Sequence, residues 1–179
     1  MVYQMEVSNR AKGGSFLLFR AAVITSSDRS FQGEREDRSG QVLEDKIKKA
    51  GGSLIERITL PDEKEVLEKE LSRLADEIKV EVIFTTGGTG LAPRDLTPDA
   101  TKKVIDKEVP GMAEAMRMKS LEKTSHAMLS RAVCGIRKAT LIINFPGSPQ
   151  AVEENFELVL PAIFHAIETI RGQIDDCGN

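Results

Sequence analysis

The sequence predicts an α/β fold: a three-layer α/β/α sandwich around a mostly parallel central sheet, with a hairpin-like excursion late in the chain. Three observations carry this. Short apolar runs of strand length alternate with amphipathic helices along the chain. The first of these runs is apolar on both faces, as in a strand covered on both sides. A strand–helix–strand–helix–strand order implies parallel strands joined by right-handed crossovers. The 179 residues suit one domain with a substantial core.

The elements follow in order. Residues 1–17, with Lys12-Gly13-Gly14-Ser15, show no apolar period and read as an N-terminal extension. Residues 19–25 form the first strand, with Arg20 as its one charge, and a polar loop runs from Ser26 to Ser39. Residues 40–50 read as a helix with Leu43, Ile47 and Ala50 on one face, ended by Gly51-Gly52. Residues 53–60 form a second strand, stopped by Pro61. The clearest helix spans 63–79, where Leu67, Leu71, Leu74, Ala75 and Ile78 share a face. Residues 80–86 form a third strand that ends in a glycine turn. Thr97-Pro98 opens a helix, with Thr97 as its N-cap, and Pro110 opens another to about Lys123. Residues 127–134 and 139–145 read as strands joined by a Gly135–Lys138 turn, and 149–171 as the last helix. The domain therefore runs over 18–172, with 173–179 as a C-terminal tail.

Composition narrows the function. Net charge is −3, from 25 basic and 28 acidic residues, whereas nucleic-acid binders carry a basic surplus. One Tyr, seven Phe and no Trp leave little for stacking on single strands. No apolar stretch reaches membrane-spanning length, and no cleavable leader is evident. Cys134 and Cys177 have neither disulfide-framework nor zinc spacing. A reducing cytoplasm and a small-molecule ligand are the expectation. His126 and His165 have no partner spaced for a triad. Met112, Met116 and Met118 suit helix packing.

Ligands of open α/β sheets bind at the carboxyl ends of the strands, which selects four loops. Thr86-Gly87-Gly88-Thr89-Gly90 follows a strand directly, so backbone amides can approach an anion without a Cβ in the way; a tight strand-exit turn explains the same residues. Asp62, after Pro61, and Asp95, after Pro93-Arg94, are turn residues or, together, a carboxylate pair for a cation beside phosphate oxygens. Arg94 either offsets phosphate charge or anchors its loop by a salt bridge. Ser27 and Asp28 lie in the first strand-exit loop, where Asp28 contacts a hydroxyl or closes an Asx turn. Asp37 either caps the helix beginning near Ser39-Gly40 or serves a ligand. Asn144-Phe145-Pro146-Gly147-Ser148-Pro149 is a stiff connector, or an anion site at a helix N-terminus.

Taken together, Ser26-Ser27-Asp28-Arg29, Leu60-Pro61-Asp62-Glu63, Thr85-Thr86-Gly87-Gly88-Thr89-Gly90 with Pro93-Arg94-Asp95-Leu96-Thr97-Pro98, Met128-Leu129-Ser130-Arg131 and Asn144 through Pro149 form an ordered set. This set resembles the molybdopterin-binding family of molybdenum-cofactor biosynthesis, and within it the MogA-type adenylyltransferase branch, over residues 18–172. The resemblance implies joining AMP from Mg-ATP to the terminal phosphate of molybdopterin, with release of pyrophosphate. It implies Asp62 and Asp95 as the catalytic acids, acting through Mg²⁺. It places Ser27, Asp28, Thr86, Gly87, Gly88, Thr89, Gly90 and Arg94 at ATP and its phosphates. Asp37, Ser130, Asn144, Pro146, Gly147 and Ser148 would hold the pterin. A homotrimer and hand-over of product to a molybdenum insertase are further implications. The insertase itself would need further domains. A non-catalytic molybdopterin-binding or scaffolding protein of the same family remains the alternative.

Overall fold

The computed structural model describes residues 19–172; the expected extension over 1–17 and the tail over 173–179 lie outside the described residues. A six-stranded sheet has the order β2-β1-β3-β6-β5-β4. Its strands are β1 (Arg20–Ser26), β2 (Ser53–Leu60), β3 (Val82–Thr86), β4 (Lys107–Glu108), β5 (Cys134–Arg137) and β6 (Thr140–Phe145). The β2-β1-β3-β6 pairs are parallel, and β5 and β4 add an antiparallel flank. The six α-helices are α1 (Asp28–Phe31), α2 (Arg38–Lys49), α3 (Lys64–Arg73), α4 (Thr97–Val104), α5 (Pro110–Leu121) and α6 (Pro149–Ile170).

The two-faced burial of the strands produces the layering. Side chains alternate across a strand, so Ala21 and Val23 of β1, Val82 and Phe84 of β3, and Leu141, Ile143 and Phe145 of β6 face one layer. There they meet Leu43 and Ile47 of α2 and Val152, Phe156 and Ile163 of α6. The intervening residues Ala22, Ile24, Ile83 and Ile142 face Leu67 and Leu71 of α3 and Ala100 and Val104 of α4. Phe84, Phe145 and Phe156 form the centre of the first layer, with ring centroids 5.5–6.4 Å apart.

Four local expectations are corrected. The run 127–134 is not a strand. Ser125–Leu129 is a 3₁₀ turn, capped where the Thr124 hydroxyl accepts from the His126 N–H. Met128 and Leu129 stand in solvent there, so their apolar character does not mark a buried strand. Gly135 is not a turn residue either: it lies within β5, where a Cβ would come 2.5 Å from Ile105 Cδ1 and 2.7 Å from the Lys107 carbonyl oxygen. The hairpin turns instead at Lys138-Ala139, with Lys138 at φ 51°. The helix expected over 63–79 winds into a π turn at Leu74–Ile78 and stops at left-handed Lys79, so the third strand starts at Val82. The loop 26–39 contains the short helix α1, for which Ser27 is the N-cap. Among the described residues no helix is long and apolar enough to cross a membrane.

Because Phe84 joins the buried aromatic trio, Phe84→Ala is expected to destabilise the fold by about 3–5 kcal/mol, read from urea unfolding.

Candidate active site

The chain passes from β1 to β2 on one side, then crosses to β3 on the other side of β1. The crevice at such a switch point, beyond the strand ends, is the natural ligand position. The exit loop of β3 occupies it. Gly87 lies at φ +89° and Gly88 at φ +61°, a region that disfavours any residue with a Cβ. A Cβ on Gly87 would sit 2.4 Å from the Ser26 carbonyl oxygen at the end of β1. The β6 exit loop closes the other side, because the Thr86 hydroxyl donates to the Pro146 carbonyl at 2.8 Å and Gly147 faces Gly87. The Thr86 hydroxyl, expected as a phosphate donor, is thus spent on joining two loops. Among the described residues, no protein acceptor takes the amide protons of Gly87, Gly88, Thr89 or Gly90. Successive free amides in a turn make an anion-binding concavity.

The acidic residues are built in around this loop. Asp62 Oδ1 accepts from the Ser26 hydroxyl at 2.6 Å, and Oδ2 from the Asp28 amide at 3.0 Å. The Asp62 amide donates back to Asp28 Oδ1 at 3.0 Å. A Cβ at Gly88 would lie 3.4 Å from Asp62 Oδ1, and one at Gly90 2.8 Å from Asp95 Oδ2. Both carboxylates therefore border one glycine loop. They follow β2 and β3, which are not neighbours, since β1 lies between them; the loop itself brings them to one place. Asp95 Oδ2 accepts from the Ala92 amide at 2.7 Å. Arg94 bonds Asp28 through Nε at 2.5 Å and Nη2 at 2.8 Å, which is the loop-anchoring alternative. This guanidinium, followed by the Asp62 amide bond, holds the Asp28 carboxyl below the usual range.

Arg131 belongs to one of the sequence motifs, yet no local pattern assigns it a role. It clamps the loop from the far side: Nε donates to the Gly90 carbonyl at 2.8 Å, Nη2 to the Asp95 carbonyl, and the guanidinium pairs with Asp99 at 2.9 Å. Ser26 as the orienter of Asp62 also went unassigned. So did the Thr97 hydroxyl, buried without a partner, which a Cβ on Gly88 would meet at 2.5 Å. Leu96, not Thr97, holds the N-cap position of α4.

A cleft of about 500 Å³ opens beside the loop. Thr89, Gly90, Ser130, Asn144 and Pro146 line it, uniting residues expected at phosphate with three expected at the pterin. Asp37 is placed elsewhere, as the N-cap of α2, with its carboxylate accepting from the Gly40 amide and the Thr25 hydroxyl. Gly147 and Ser148 are exposed at the start of α6 and are not among the cleft-lining residues. Asn144 is wholly buried. Its Nδ2 donates to Thr85 and Thr101 hydroxyls, both at 2.9 Å, and its Oδ1 accepts from the Val133 amide at 3.1 Å. Its side chain braces the wall. Cys134 is no nucleophile, since burial pushes its thiol up to about 12.

Residues 22–165 match the family described as a probable molybdopterin binding domain. The chain belongs to the molybdopterin-binding family. Its relatives within that family include the molybdopterin adenylyltransferase of Helicobacter pylori strain J99, 42% identical over 152 residues that cover 84% of this chain and 86% of that protein. The molybdenum cofactor synthesis protein cinnamon of Drosophila melanogaster is 41% identical over 150 residues, 83% of this chain but 25% of its own length. The crystal structure of the molybdopterin biosynthesis enzyme MoaB from Thermus thermophilus shares the fold with a TM-score of 0.82 at 43% identity. That match covers 87% of this chain and 98% of the other. In this member of the family, the glycine loop and cleft fall inside the matched region.

Two expectations test the geometry. Gly88→Ala puts a methyl group against Thr97 and Asp62 at a positive φ. It should cost about 1–3 kcal/mol of stability in urea unfolding. The Asp28 value is depressed in the folded state, so the Arg94–Asp28 contribution is present above about pH 4 and fades as pH falls through the lowered value. Melting curves of wild type and Arg94→Ala should therefore converge on acidification; a gap that widens would contradict this pairing.

Proposed function

We propose that this chain is a Mg-ATP-dependent molybdopterin adenylyltransferase, acting in the cytoplasm. The observation that carries the reading is a cleft lined by Thr89 and Gly90, on a loop whose four amides are free and whose glycines lie beside two carboxylates. The names of the relatives agree with it.

A terminal phosphate oxygen of molybdopterin attacks the α-phosphorus of ATP. A new P–O bond forms, the α–β bridging bond breaks, and pyrophosphate leaves with the bond's electron pair. The nucleophile is already ionised at neutral pH, so no side chain need remove a proton. The protein's task is alignment and charge compensation. The amides of Gly87 to Gly90 hold phosphate oxygens. Ser26 and the Asp28 amide fix the Asp62 carboxylate. The Ala92 amide fixes the Asp95 carboxylate, and Arg131 holds the loop that carries it.

Mg²⁺ suits these donors. Two carboxylates beside a loop of free amides leave room for an ion completed by substrate phosphates and water. Asp62 and Asp95 would hold it, and it would neutralise charge on the departing pyrophosphate. Leu91 and Leu129 line the cleft and are largely exposed. They supply apolar surface for a homotrimer, which is part of this reading. Transfer of product to a separate insertase is the other part. Cinnamon, in which the matched region is a quarter of the protein, is in keeping with a neighbouring activity.

Incubation with molybdopterin, ATP and Mg²⁺ should release pyrophosphate in step with AMP transfer. Asp62→Asn and Asp95→Asn should each slow turnover by about 100-fold or more while circular dichroism and molybdopterin binding persist. Molybdopterin binding by the wild type without pyrophosphate release would identify a non-catalytic carrier instead, and unchanged turnover in both variants would remove the carboxylates from the mechanism.

A further inference from the structure

Half of the cleft wall has no role in the chemistry above. It is formed by α5, α6 and the turn between α5 and β5, and includes Met116, Arg117, Ser120, Thr124 and Asn155. Its polar groups can be accounted for one at a time. The Arg117 guanidinium donates to the carbonyls of Ala132 at 3.0 Å and Ser130 at 3.5 Å. The Thr124 oxygen accepts from the His126 amide at 3.2 Å. Asn155, on α6, is 1% exposed, and its Nδ2 donates to the Ser120 hydroxyl at 3.3 Å. Its Oδ1 is buried and has no donor. Buried carbonyl oxygens nearly always have a partner, and one left without is costly. An orphan oxygen in a cleft wall is an acceptor that a bound ligand or a water can satisfy.

We infer that Asn155 is a specificity-determining residue, which accepts a hydrogen bond from the N–H edge of the pterin ring. This rests on the reading of the cleft as a molybdopterin site. The chemistry also sets the ligand's direction. A carbonyl oxygen repels phosphate, so the phosphate end lies toward the free amides of the glycine loop. The heterocycle lies among Ala113, Met116 and Ala151, where an uncharged ring loses little by leaving water. A site built to meet an N–H rejects an analogue that presents an oxygen there, because two acceptors would then face each other.

Pterin and lumazine make that comparison, since lumazine carries an oxygen where pterin carries its exocyclic amine. Fluorescence titration of the full chain should show pterin bound about tenfold or more tightly than lumazine. Asn155→Leu should weaken pterin binding by about 10- to 100-fold and leave lumazine binding within about threefold of wild type. In the AMP-transfer assay the KM for molybdopterin should rise by a similar factor, with kcat and the KM for ATP unchanged. Asn155→Ser provides a second variant if leucine impairs folding, and the pterin-to-lumazine ratio is independent of the amount folded. An unchanged ratio in both variants, or a wild type that prefers lumazine, overturns the inference. With AMP transfer to molybdopterin intact, that result leaves the proposed function standing. A wild type that binds neither pteridine nor molybdopterin overturns both.

Discussion

The contact between Gly87 and the Ser26 carbonyl holds the site together. Three strand-exit loops, from β1, β3 and β6, must meet above one switch point, and a Cβ on Gly87 would stand 2.4 Å from that oxygen. Backbone lies against backbone there, so no rotamer change could make room. From this approach follow the positive φ values at Gly87 and Gly88. The free amides, and a Gly88 close enough to Asp62 and Thr97 to bring an acid beside them, follow as well. The sheet supplies a rigid frame, and the missing side chains let the loops close on it.

Long-range hydrogen bonds then convert a flexible turn into a fixed site. Asp62 is oriented by Ser26 from 36 residues away, and Arg131 reaches the Gly90 carbonyl across 41. Arg131 also pairs with Asp99 on α4, whose carboxyl it holds below the usual range. One guanidinium thus ties the glycine loop, the Asp95 backbone and the start of α4 together. A planar, permanently charged group with several donors suits that task better than a lysine would.

Sequence reading succeeded where a local pattern determines the structure. Ala21 to Ile24, Val82 to Phe84 and Leu141 to Ile143 are apolar at every position because both faces are covered, and that continuous run marks parallel strands. The glycine loop was legible because it follows β3 directly. The failures share one cause. Met128 and Leu129 resemble strand residues, but they stand in solvent. Gly135 resembles a turn, but the close approach of Ile105 and Lys107 requires it within a strand. The roles of Ser26, Arg131 and Asn155 depend on partners more than 30 residues distant, and no local pattern records such pairs.

Charge shows the same division between global count and local arrangement. A net −3 chain that takes ATP and a phosphorylated pterin, as proposed, needs positive potential at one spot. Arg94 is not its free source, because both bonds it makes go to Asp28. What that pairing provides is the removal of an unpaired negative charge: without Arg94, Asp28 would stand as a bare carboxylate beside Asp62 and repel arriving phosphate. In the proposed reading the attraction comes from amide dipoles that need no counterion and undergo no titration. Charge neutralisation at Asp28 and attraction at the glycine loop are thus assigned to different groups, and either can be altered without the other.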